Sequence, residues 1–75
     1  MNRQEEALRA LAAGLDGRGI AARVFATNVI VAGENGRELV VVCSRGVFRW
    51  GMGEEIGPID DVDAAVRHVA AASAS

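Results

Sequence analysis

A chain of 75 residues with 51% hydrophobic content, 24% charged content and a net charge of −2 has the make-up of one small folded domain. Its charge gives it little attraction for the phosphate backbone of nucleic acids. Cys43 is the only cysteine and His68 the only histidine, which excludes an internal disulfide and a structural zinc site.

So small a domain buries only about 60% of the surface its unfolded chain exposes. With disulfide and metal set aside, association is the remaining way to add stability, and no cofactor is expected. No apolar run approaches the roughly 18 residues of a membrane helix. The opening Met1-Asn2-Arg3-Gln4-Glu5-Glu6 is acidic where a signal peptide is basic and then apolar, so the expected location is cytoplasmic, away from membranes. Every basic residue is arginine, which points to coding in a GC-rich genome.

The first element runs from Asn2 to about Asp16. Leu8, Leu11, Ala12 and Leu15 share one helical face, and Glu5 precedes Arg9 by one turn in the favourable orientation for a surface pair. Gly17 and Gly19 supply left-handed positions that end this helix. From Ile20 to Ala32 the chain reads as extended, either as one bulged strand or as two, Ala22–Ala26 and Val29–Val31.

Asn35-Gly36 then predicts a two-residue type I′ hairpin, pairing Ala32 with Leu39, Ile30 with Val41 and Val29 with Val42. A second turn at Arg45-Gly46 pairs Cys43 with Phe48 and Val41 with Trp50. Following both registers, Ile30, Leu39, Val41, Cys43, Phe48 and Trp50 form the core face. Val29, Val31, Val40, Val42, Val47 and Arg49 form the opposite one.

Gly51–Pro58 reads as a loop. Asp60 is the expected N-cap of a second helix, with Asp63 three residues on and Val62, Ala65, Val66 and Val69 as its buried stripe. The tail from about residue 71 to 75 lacks large apolar anchors and is expected to fray.

The expected fold is therefore one α+β domain over residues 1–75, ordered αβββα. It is an antiparallel three-stranded meander, four-stranded if Ala22–Ala26 stands alone, with two helices packed on one face.

Chemistry-bearing residues are sparse. The acids Glu54, Glu55, Asp60, Asp61 and Asp63 suit hard cations by type, but three of them stand where capping and the helix dipole favour carboxylates, so no metal site is expected. Gly51-x-Gly53 resembles the start of a phosphate loop but is followed by two glutamates, without Lys, Ser or Thr. Cys43 falls mid-strand, far in sequence from His68, so no nucleophile–base pair and no catalytic residue is expected.

The order helix, meander, helix is similar to that of the double-stranded RNA-binding domain, which packs two helices on one sheet face. That resemblance implies phosphate contacts from the start of the second helix. Here those positions read Asp60-Asp61-Val62-Asp63, which repel phosphate.

The expected function is a non-enzymatic interaction or accessory domain. It would associate through Val29, Val31, Val40, Val42, Val47 and Arg49, as a homodimer or with another protein. The alternative is a small-ligand binder in which Trp50, Gly51, Gly53, Glu54 and Glu55 form the ligand or partner loop. A weaker alternative is a nucleic-acid accessory protein using Arg23, Arg45 and Arg49 on the sheet.

Overall fold

A computed structural model describes residues 3–25, 27–33 and 36–74 of the chain. Asn2, Ala26, Glu34, Asn35 and Ser75, on which parts of the expectations above fall, lie outside the described residues. The element order is α1 (Arg3–Asp16), β1 (Ala22–Phe25), β2 (Asn28–Ala32), β3 (Glu38–Ser44), β4 (Val47–Trp50), β5 (Glu55–Pro58) and α2 (Val62–Ser73). The strands form one antiparallel sheet in the sequential order β1-β2-β3-β4-β5. The α+β class stands, with five strands in place of the three or four expected.

Helix α1 buries Ala7, Leu8, Leu11, Ala12 and Leu15 as one stripe. It ends in a Schellman motif. Ile20 N–H donates to Leu15 O at 3.0 Å and Gly19 N–H to Asp16 O at 2.9 Å. Gly19 alone, with φ +79°, takes the left-handed position there, so Gly17 does not share that role. The motif turns the chain back and packs Ile20 against the core.

The largest departure lies between β2 and β3. Gly36 N–H donates to Gly33 O at 3.2 Å and Gly33 N–H to Arg37 O at 2.7 Å, which brackets a connection of three residues. Gly36, with φ +74°, closes it in the manner of a bulged three-residue hairpin. The extra loop residue slides the register by one relative to the two-residue turn. Val29 pairs with Val41, Ile30 with Val40 and Val31 with Leu39. Because side chains alternate along a strand, that slip turns β2 over: Val29 and Val31 point into the core at 0% exposure, and Ile30 points away from it.

The β3–β4 hairpin follows the expected register, with Cys43 opposite Phe48 and Val41 opposite Trp50. Arg45 (φ +54°) and Gly46 (φ +77°) are both left-handed, as a type I′ turn requires.

Strand β5, Glu55–Pro58, replaces the second half of the expected Gly51–Pro58 loop. Gly53 N–H donates to Trp50 O, and Trp50 N–H to Glu54 O, each at 2.8 Å. With Gly53 at φ +109°, this repeats the three-residue arrangement seen before β3. The chain turns straight into a fifth strand.

Asp61, not Asp60, caps α2: its carboxylate accepts from Ala64 N–H at 3.1 Å. Asp60 instead accepts from the Arg3 guanidinium at 3.1 Å, in an exposed pair between the first turn of α1 and the segment leading into α2. The helix continues through Ser73, which is buried and whose hydroxyl donates to Ala70 O at 2.9 Å, so residues 71–73 are helical rather than a separate tail.

Both helices pack on the same side of the sheet. Helix α1 lies against β1, β2 and β3, while α2 lies against β5 and α1. A Cβ added to Gly14 would stand 2.6 Å from Val66 Cγ2, so this glycine permits the close approach of the helices. Phe48 is the largest fully buried side chain, within a core that also holds Leu8, Leu11, Leu15, Val41 and Val69.

Candidate functional site

The register assigns every strand residue to a face. Away from the helices, one cross-strand row runs Arg23, Ile30, Val40 and the next runs Phe25, Asn28, Val42, Arg49, Glu55. Val47 sits beside the second row, opposite Ser44. The outer face therefore has an aliphatic centre of Ile30, Val40, Val42 and Val47, flanked at the β1 end by Arg23 and Phe25 and at the β5 end by Arg49 and Glu55.

Phe25 is 64% exposed and Val40 36%. Ile30, Val42 and Val47 are half-buried by their strand neighbours alone, since both helices lie on the other side.

Of the six residues expected on this face, Val40, Val42, Val47 and Arg49 are there. Val29 and Val31 are not: the register slip places them in the core, and Ile30 takes their place. Arg23 and Phe25 join the face because Ala22–Phe25 is a separate strand. The sequence signal for this register is Gly36 at the third position of the connection, which marks a three-residue loop as readily as Asn-Gly marks a two-residue one. Arg49 is held along the surface, with Nη1 donating to Gly53 O at 3.4 Å and Nη2 3.9 Å from Glu55 Oε1.

The other expected site residues are divided by the β4–β5 turn. Trp50, Gly51 and Glu54 line a cleft of about 630 Å³, together with Met52. Gly53 shapes the turn, while Glu55 has moved to the outer face as the partner of Arg49. Trp50 packs against the core and lies near the His68 ring, with centroids 6.2 Å apart and planes inclined by 41°.

Cys43 is half-buried on the helix side of β3, opposite Phe48, and burial pushes its thiol above the ordinary value. Among the described residues, no three His, Cys, Asp or Glu side chains are grouped as a metal ion would need. No helix among the described residues is long and apolar enough to cross a membrane. No protein-family model, curated protein or solved structure matches this chain.

Proposed function

We propose that this chain is a non-catalytic interaction domain that pairs with a second copy of itself through the outer face of its sheet. The supporting observation is the one-sided packing. Both helices serve the side holding Val29, Val31, Val41 and Phe48, which leaves Ile30, Val40, Val42 and Val47 as a continuous apolar centre facing solvent. Covering such a centre is a standard way for a small domain to gain stability.

Charge favours a second copy over an unrelated partner. A two-fold axis running along β3 lays the β1 end of one copy over the β5 end of the other. Arg23 and Phe25 then approach the partner's Arg49 and Glu55, which offers an Arg–Glu attraction and an Arg–Phe cation–π contact at both ends. Val40 and Val42, on the central strand, meet their own counterparts.

Five strands spaced by about 4.8 Å make a small footprint. The interface falls at the low end of specific ones, and dissociation is expected on the order of micromolar.

Light scattering after size-exclusion chromatography tests this reading. Over roughly 1 to 500 µM, the mass should rise from 7.8 kDa towards double that value, and Val42→Glu should remain at 7.8 kDa with an unchanged circular dichroism spectrum. A wild-type mass of 7.8 kDa at the highest concentration would overturn it.

A further inference from the structure

The cleft beside Trp50 exists because β3 begins at Glu38, further along the sheet than β4 extends. Gly51 N–H still donates to Val40 O at 2.8 Å, but the chain then leaves through the turn to β5, and the start of β3 runs on without a β4 neighbour. The last turn of α2, with Ala72 and Ser73, closes the third side. The space, about 630 Å³, is in the range of small-molecule sites.

Its walls combine two kinds of surface. Leu39, Val40, Trp50, Met52 and Ala72 supply apolar and aromatic contact, and Met52 is 99% exposed at the rim. Glu38 and Glu54 supply two carboxylates against the single guanidinium of Arg37. Among the described residues none of these three charged side chains is in an ion pair or a side-chain hydrogen bond, so their charges are available to a ligand. The carbonyl end of α2 adds partial negative charge, and no basic residue in its last turn offsets it.

We propose that this cleft binds small organic cations, an ammonium group carried on an apolar alkyl or aryl body. The carboxylates and the helix end attract the ammonium, while Trp50 offers its ring to the cation and the aliphatic wall receives the body. The site shares Val40 with the outer face, and Glu38 alternates with Val40 along β3, so the proposed pairing borders one wall of the cleft while Trp50, Leu39 and Ala72 lie outside it.

Three probes of similar shape test it: phenethylammonium, neutral 2-phenylethanol and anionic 3-phenylpropanoate, titrated at neutral pH. The readout is the fluorescence of Trp50, the only tryptophan in the chain. The cation should bind about two- to fivefold more tightly than the alcohol, and the carboxylate should bind weakest.

Glu38→Gln with Glu54→Gln should abolish the preference for the cation, and Arg37→Gln should widen it. Val42→Glu, which removes the proposed pairing, should leave the preference intact, so failure of one proposal is distinguishable from failure of the other. Equal or tighter binding of 3-phenylpropanoate, a preference unaffected by the double variant, or no response to any probe would each overturn the proposal.

Discussion

Cys43 and Phe48 face each other across β3 and β4 beneath the helices, and the thiol there is pushed above its ordinary value of 9.0 by loss of solvation. The folded chain therefore holds this proton more tightly than the unfolded chain does. Stability from the neutral thiol is intact below pH 9.0 and declines as pH rises through the folded-state value. The chain contains no lysine and no tyrosine, so no other side chain titrates in that window before arginine. The urea midpoint should fall as pH rises above 9.0 for the wild type and stay level for Cys43→Val. At this scale the sequence was legible for Cys43 and Phe48, whose hairpin register follows from Arg45-Gly46 alone. It was not legible for the choice between Asp60 and Asp61 as N-cap, because either aspartate satisfies the local pattern and the Arg3–Asp60 contact depends on the rest of the fold.

At the scale of elements, both helices could be read from their apolar spacing, and α1 begins and ends within a residue of its expected limits. The strands were harder, because their faces depend on loop length. One additional residue in the β2–β3 connection exchanges Ile30 with Val29 and Val31 between solvent and core. All three are aliphatic and β-branched, so composition does not distinguish the two registers. Substitution does. Val31→Ala should cost roughly 1–3 kcal/mol of folding stability through the cavity it leaves. Ile30→Ala should cost less than about 1 kcal/mol when measured on the monomer, since it empties no enclosed space. Its larger effect should be a weaker dimer by light scattering. Urea unfolding in the Val42→Glu background separates the two effects, and a larger loss at Ile30 would contradict the register.

For the whole molecule, the one-sided arrangement couples stability to association. A dimer that forms only from folded chains is stabilised by mass action, so Tm should rise with protein concentration. For a domain of this size the rise should be roughly 3–6 °C for each tenfold increase above the dissociation constant. Differential scanning calorimetry at several concentrations checks this, and Val42→Glu should melt at one temperature throughout. A concentration-independent Tm for the wild type would separate the apolar face from any stabilising role.

By itself the sequence determined the α+β class, both helices, the β3–β4 register and the absence of an internal disulfide, because each rests on local spacing, turn chemistry or a residue count. Only the tertiary structure decided which aliphatic residues of β2 face inward, that Glu55–Pro58 completes a fifth strand, and that Arg37, Glu38, Trp50 and Glu54 meet at one cleft. Those outcomes depend on backbone hydrogen bonds closing two three-residue turns and on where each strand stops relative to its neighbour. They are relations between segments, and local periodicity does not encode them.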